Sequence, residues 1–270
     1  MILVFSKDRP MQVELLLRSL HIRCQDMKAV DEFKTVLYKA STPEIDEMYK
    51  TVAKEYPLFD FVPETDFKSQ VLEQLRFSKF VMFLVDDTIF IQNFTHADLY
   101  ENLEDNNALL GISLRLGLNC VHCYAMNQIT AAPFGTMEVG EKLYFNWTMG
   151  QLDWGYPLEV SSSIYRTEDI RNLLNGVDFK NPNDLEWALD IRKNFFKRSR
   201  PLLASFKFSR AFSVPANKVN PENRNLSGND PEYSVEALLQ KFREGKRICY
   251  NKNLAILNFG VHMEYPYEFC

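Results

Sequence analysis

Residues Phe80–Ile91 read FVMFLVDDTIFI, an apolar run that ends in two adjacent carboxylates and then turns apolar again. Phe80 to Val85 carries no polar side chain, which predicts a central strand buried on both faces, as in a parallel sheet flanked by helices. Asp86 and Asp87 then stand at its carboxyl end, the edge where open α/β sheets bind ligands. Two carboxylates there suit a divalent cation that prefers oxygen, magnesium or manganese. Taken alone the pair favours a solvated turn, because Asp is an ordinary turn residue; the surrounding chain shifts the balance.

Upstream, Ile2–Phe5 predicts a short strand, Ser6–Pro10 a loop, and Pro10 the start of a helix with Val13, Leu16, Leu17 and Leu20 on one face. Thr35–Tyr38 predicts a second strand, followed by a helix entered at Thr42-Pro43 with Ile45, Met48, Tyr49 and Val52 inward. Phe59–Pro63 reads as a third strand, and Asp66 as the cap of a helix leading to Phe80. Downstream, Thr95–Leu103 predicts a helix and Ala108–Leu114 another buried strand. This alternation is the signature of βαβ units. Gly117–Gly155 loses periodicity and reads as a functional loop or lid. Pro157–Arg166 (PLEVSSSIYR) predicts a polar strand, Thr167 the cap of a short helix, and Asn181-Pro182-Asn183-Asp184 the start of a helix to about Lys197. Asn217–Pro231 reads as a long exposed loop. It is followed by a helix with Val235, Leu238, Leu239 and Phe242 inward and Gly245 at its end, and by a tail, Leu254–Glu264, that returns to the main body.

At 270 residues, 46% hydrophobic and 25% charged, the chain has ample material for a globular core. A net charge of −5 and a pI near 5.5 argue against a nucleic-acid binder, which needs a basic field. The apolar run after Met1 gives way to Lys7, Asp8 and Arg9, too short for a signal-peptide core or a membrane span. The expected location is the cytoplasm, extending to the inner face of a membrane. The five cysteines are odd in number and scattered, which predicts free thiols. Cys120-Val121-His122-Cys123 has C-x-x-C spacing, but no second pair follows at zinc-ribbon distance, so the spacing reads as incidental.

In order and strand context, FSKDRP, the apolar strand ending in VDD, EVSSSIYR and NPNDLE resemble a GT-A fold, D-x-D type glycosyltransferase, dependent on a nucleotide-sugar. The resemblance covers about residues 1–200 and leaves 201–270 as a C-terminal helical and loop extension packed on them. It departs from the family in having the acids adjacent, the x-D-D form. It implies a transferase of polysaccharide biosynthesis, with a UDP- or GDP-linked donor, a glycan or lipid-linked acceptor, and manganese or magnesium. It assigns the metal to Asp87, with Asp86 reaching the ribose or assisting through water, and His262 as a third ligand. It places the base and ribose against Phe5, Ser6, Lys7, Asp8, Arg9, Ala40 and Ser41, with Lys68 and Gln70 as secondary candidates. Asp8 and Arg9 read equally well as a charge pair at a helix start.

An inverting transfer needs a carboxylate base, and the resemblance offers Asp184 or Glu186; Asp184 in the first helical turn also simply answers the helix dipole. Trp154, Gly155 and Tyr156 are the expected acceptor platform, with aromatic core packing as the equal rival. Lys193, Lys197, Arg198 and Arg200 with Phe195 and Phe196 read either as a contact for an anionic lipid-linked acceptor or membrane surface, or as a solvated helix end. Two other functions compete. One is a sugar-phosphate nucleotidyltransferase, whose Gly-rich N-terminal loop is missing here; the other is a catalytically silent module that binds nucleotide or glycan.

Overall fold

The computed structural model describes residues 1–29, 33–219, 226–251, 254 and 258–270. The chain runs β1 (Ile2–Lys7), α1 (Pro10–Arg23), β2 (Lys34–Lys39), α2 (Pro43–Glu55), β3 (Asp60–Pro63), α3 (Phe67–Gln74), β4 (Phe80–Val85), β5 (Thr88–Phe90), α4 (His96–Asp105) and β6 (Leu109–Ser113). The short strands β7 (His122–Cys123), β8 (Gln128–Ile129) and β9 (Met137–Val139) lead to β10 (Lys142–Asn146). Then come β11 (Ser163–Arg166), α5 (Thr167–Leu174), α6 (Pro182–Asp190), β12 (Leu202–Phe206), β13 (Ala211–Ser213) and α7 (Val235–Arg243).

Among the described residues nine strands form one sheet in the order β3-β2-β1-β4-β11-β6-β12-β10-β9. β3, β2, β1 and β4 are parallel neighbours, as are β6 and β12. β11 runs against both β4 and β6, and β10 against β12 and β9. The α/β class with a mainly parallel, helix-flanked sheet is therefore as expected. β4 is its centre. Phe80, Met82 and Leu84 enter the core cluster on the face of α1 and α2, while Val81 and Phe83 enter the opposite one with α3, α5 and α6. Alternate residues on a strand point to opposite faces, so a strand covered on both sides has no place for a polar residue.

Several local signals behave as the sequence predicts. Thr42 accepts the N–H of Ile45, Asp66 that of Ser69, and Asn181 that of Asp184, each capping its helix. Gly245, at φ +79°, follows the end of α7. Thr167 makes no such cap, since α5 begins at Thr167 itself and its hydroxyl is buried without a partner. The helix entered at Asn181 ends at Asp190, followed by a single 3₁₀ turn at Lys193–Phe196.

Other expectations need correction. Pro157–Arg166 forms a strand only from Ser163. Before it, the N–H of Val160 goes to the Glu186 carboxylate at 3.1 Å, and the N–H of Ser161 to the Glu159 carboxylate. Side chains thus take the donors that a ladder would use. Residues 202–206, assigned to the extension, form β12 inside the sheet between β6 and β10. Of the loop expected at 217–231, residues 220–225 lie outside the described residues, as do 255–257 of the tail.

Cys249 and Cys270 are not free thiols. Backbone pairing of Arg247 with Cys270 and of Cys249 with Glu268 brings their Cα atoms to 5.6 Å, and a disulfide joins them. Cys24, Cys120 and Cys123 are free and buried. Among the described residues no helix is long and apolar enough to cross a membrane.

Candidate functional site

Strands β1, β4 and β6 end at the same edge of the sheet, and each is followed there by polar residues lining a cavity of about 880 Å³. β1 delivers Ser6, Lys7 and Arg9, β4 delivers Asp86 and Asp87, and β6 delivers Arg115.

Asp86 is saturated. Its Oδ2 accepts from the Ser6 hydroxyl at 2.8 Å and the Lys7 N–H at 3.3 Å, and its Oδ1 from Arg9 Nη1 at 2.8 Å. Arg9 in turn donates Nε to the Asn217 side-chain oxygen at 2.8 Å and Nη2 to the Asn217 carbonyl. Lys7 Nζ reaches the Val219 carbonyl at 3.2 Å. The N-terminal loop is thereby tied to β4 and to the segment after β13. Asp8, with φ +54°, turns away; its carboxylate accepts from the Ser41 N–H at 2.7 Å and hydroxyl at 2.6 Å.

Asp87 has the opposite character. Its Oδ1 is sealed from solvent with no hydrogen-bond partner. Burial pushes its carboxyl up to about 6, opposed by Arg9 and Arg115 and by a bond from Ser213, and reinforced by Asp86. A buried carboxylate oxygen without a hydrogen-bond partner, on a residue that lines a polar cavity, is a donor that a divalent cation can use. His262, on the segment bridged to Ser213, lines the same cavity. Burial and then Arg115 push its imidazole down to about 3, so it is neutral at physiological pH. Its Nε2 lies 3.3 Å from Arg115 Nη1, and since a guanidinium only donates, that nitrogen spends its lone pair there. Among the described residues Asp86, Asp87 and His262 do not form a set with all ligand atoms within 4.8 Å of one another. His262 ligates a metal only if Arg115 gives it up.

Of the two candidate bases, only Glu186 lines the cavity. Burial pushes it up to about 7, with Glu159 and Asp190 adding to the rise and Arg115 and the Val160 N–H opposing it. Asp184 instead accepts the N–H of Lys180 at 3.1 Å, closing the turn ahead of α6.

The expected platform is reduced. Trp154 is fully buried against Phe145, with ring centroids 5.0 Å apart, because its indole fills the cluster beneath the sheet. Gly155 packs on the backbone of Gly150, and only Tyr156 lines the cavity, with Lys193 Nζ 5.7 Å from its ring centroid. Asp8, Ala40 and Ser41 all lie outside the lining, Ser41 being held by Asp8. Lys68 pairs with Asp178 at 2.7 Å, and Gln70 bonds the backbone of Pro63, Thr65 and Asp66; neither reaches the cavity. In the basic segment Arg200 is drawn to Asp169 at 2.7 Å and Phe196 is buried, while Phe195 is exposed.

Sequence reasoning missed Arg115, Glu159 and Asp153, and it read the spacing that contains Cys123, which lines the cavity, as incidental. Arg115 and Glu159 form a buried pair at 3.2 Å, and Glu159 also takes the Ser163 hydroxyl. Tyr165 lies against Gly111, where a Cβ would meet its ring at 2.5 Å, and its hydroxyl holds the Glu159 carbonyl at 2.8 Å. Asp153 is pushed up by burial, opposed by Arg115 and by the Cys123 thiol beside it. Arg115 had a legible signal, a lone charge closing an apolar strand, as Asp86 does.

No protein-family model matches the chain. The chain is 27% identical, over 97% of its length, to the bifunctional glycosyltransferase pgtA of Dictyostelium discoideum, and it spans 38% of that relative's length. The resemblance to glycosyltransferases is thereby borne out. Among solved structures it is similar to 4-diphosphocytidyl-2C-methyl-D-erythritol synthase from Anaerococcus prevotii, with TM-score 0.42, 10% identity, and 90% and 96% of the two chains covered. It is also similar to glucosyl-3-phosphoglycerate synthase from Mycobacterium tuberculosis in complex with Mn2+, UDP-glucose and glycerol 3-phosphate, with TM-score 0.41, 13% identity, and 76% and 68% covered. A mannosyltransferase from Pyrobaculum calidifontis in complex with GDP-Man and Mn2+ follows, with TM-score 0.35, 14% identity, and 64% and 45% covered.

Proposed function

We propose that the chain is a glycosyltransferase that moves a sugar from a UDP- or GDP-linked donor to a hydroxyl of a glycan or lipid-linked acceptor, with inversion. The observation that carries this reading is the placing of two carboxyls with raised pKa, Asp87 and Glu186, on one cavity at the carboxyl edge of the sheet. The glycosyltransferase relative, matched along nearly all of this chain, supports it.

Asp87 would hold manganese or magnesium, whose charge offsets that of the donor diphosphate. Arg9 and Lys7 face the same charge from the loop after β1, and Phe5 and Ser6 form the floor for the nucleoside. Glu186 takes the proton of the acceptor hydroxyl as that oxygen bonds the anomeric carbon and the bond to the diphosphate oxygen breaks. Its position near neutrality suits a group that must accept a proton and later release it. Tyr156 offers a ring at the acceptor side. Phe195, exposed with Trp187 and Ile191, is where a lipid-linked acceptor or a membrane surface would meet the chain.

The test is release of nucleoside diphosphate from a panel of UDP- and GDP-sugars, with and without manganese, in the presence of glycan and polyprenyl-linked acceptors. Metal-dependent release with transfer supports the proposal. A chain that binds nucleotide but turns over no donor would be a silent binding module.

A further inference from the structure

A second cluster of ligand-type side chains lies where α1 meets α4, on residues that do not line the cavity. Cys24 closes α1 with its N–H on the Leu20 carbonyl, and the chain there pairs with Phe94 in a short parallel bridge. The loop then carries Asp26 to the start of α4, where its carboxylate accepts the N–H groups of His96 at 2.8 Å and Ala97 at 2.9 Å. The result is a near-equilateral triangle: Cys24 Sγ lies 3.2 Å from Asp26 Oδ1 and 3.2 Å from His96 Nδ1, which is 3.3 Å from Asp26 Oδ1. Cys24 and His96 are 3% and 1% exposed, whereas the Asp26 side chain is 19% exposed.

We propose that Cys24, Asp26 and His96 form a zinc site that pins the end of α1 to the start of α4. The donor set is sulfur, nitrogen and oxygen, which selects zinc over the oxygen-loving magnesium or manganese of the catalytic edge. Tetrahedral zinc with bonds of about 2.0–2.3 Å needs ligand atoms about 3.3–3.7 Å apart. Two sides of the triangle, at 3.2 Å, fall just below that range and the third, at 3.3 Å, meets its lower end, so a cation enters once the three ligands spread by a few tenths of an ångström. The partly exposed Asp26 side leaves the fourth position to water. Burial and the neighbouring Asp26 hold the Cys24 thiol well above its ordinary value, so it is protonated without metal. On binding, the S–H bond breaks, its electron pair goes to zinc, and the proton leaves to solvent. His96 binds through Nδ1 as the neutral ring. The phenyl ring of Phe94 and the phenol ring of Tyr100, each 5.9 Å from the imidazole, wall the site on its inner side.

Cobalt is the probe, because a thiolate ligand gives Co2+ a charge-transfer band and tetrahedral geometry gives strong visible absorption. The chain is stripped with chelator and titrated with Co2+ in an Asp87→Asn background, so that the catalytic edge contributes no metal. One equivalent producing the band, displaced by zinc, and a complete loss in Cys24→Ser are the expected results. If Cys24→Ser does not fold, Cys120→Ser/Cys123→Ser decides. With Cys249 bonded to Cys270, Cys24 is its one remaining thiol, and the band must persist. No band in the parent chain, a band surviving in Cys24→Ser, or a band lost in the double variant would each overturn the proposal.

Discussion

Arg9 Nη1 lies 2.8 Å from Asp86 Oδ1, both side chains nearly enclosed, and this ion pair helps to join the loop after β1 to the end of β4. A buried pair is weak evidence of net stabilisation, but removing one partner strands the other charge. Arg9→Ala should therefore destabilise the chain by ~3–5 kcal/mol, read as a lower denaturant midpoint at unchanged slope. In Arg9→Ala/Asp86→Asn part of that loss should return. Strict additivity of the two single changes would mean that the pair is not coupled.

Asp87 has a raised pKa in the fold, about 6 against an ordinary 3.8. The folded state thus binds the proton more tightly than the unfolded one, so this group lowers stability as pH rises from about 4 to about 6 and contributes no further change above that. Asp87→Asn should remove the penalty, at most about 3 kcal/mol for a rise from 3.8 to about 6, and melt higher than the parent at pH 7.5 but not at pH 4. It should also lose any manganese-dependent stabilisation by nucleotide. Lower melting of the variant at pH 7.5 would show instead that the carboxylate is structural.

For Glu186 the expectation is kinetic. Glu186→Gln should lower turnover by ~10²–10⁴-fold with donor affinity nearly unchanged, while Asp184→Asn stays near the parent rate. In the parent, the rate should rise with pH through a pKa near 7, the value at which Glu186 loses its proton. The rising limb should vanish in the variant. Parent-like turnover in Glu186→Gln would remove the inverting assignment.

Trp154 and Tyr156 should separate cleanly. Trp154→Ala empties a site that is 0% exposed and should cost ~3–5 kcal/mol. Tyr156→Ala should leave the melting temperature nearly unchanged and raise KM for the acceptor. The reverse pattern would restore Trp154 to the acceptor side.

The stretch from Gly117 to Gly155 supplies Tyr124, Ala125, Met126, Leu152 and Asp153 to the cavity wall. Hydrogen exchange at Tyr124–Met126 should slow when nucleotide-sugar and metal are added together. Equal exchange in both states would make this wall rigid.

What was legible in the sequence is what a one-dimensional pattern can carry. An apolar run closed by a charge marks a strand end at the ligand edge, and this located Asp86, Asp87 and the Ser6–Arg9 loop; the same pattern ends at Arg115 and was passed over. Asp184 and Glu186 are two residues apart on one helix, hence on different faces, and only the packing of α6 says which faces the cavity. Burial of Trp154 depends on Phe145 across the fold, and composition cannot separate a core indole from a stacking one. Glu159 turns its own backbone away from the ladder, which no periodicity records. Pairing of Cys249 with Cys270 depends on the tail folding back on residues 247–249.

The place of β12 bears on how the chain assembles. β6 is complete at Ser113, yet its two neighbours in the sheet are β11, ending at Arg166, and β12, ending at Phe206. During synthesis β6 therefore waits through nearly a hundred residues with an unpaired, largely apolar edge, the kind of surface that templates aggregation. A fragment cut at residue 200, which a boundary drawn there would recommend, would keep that edge open permanently. Such a fragment should collect in inclusion bodies, whereas one extended past Phe206 gains the strand that closes it.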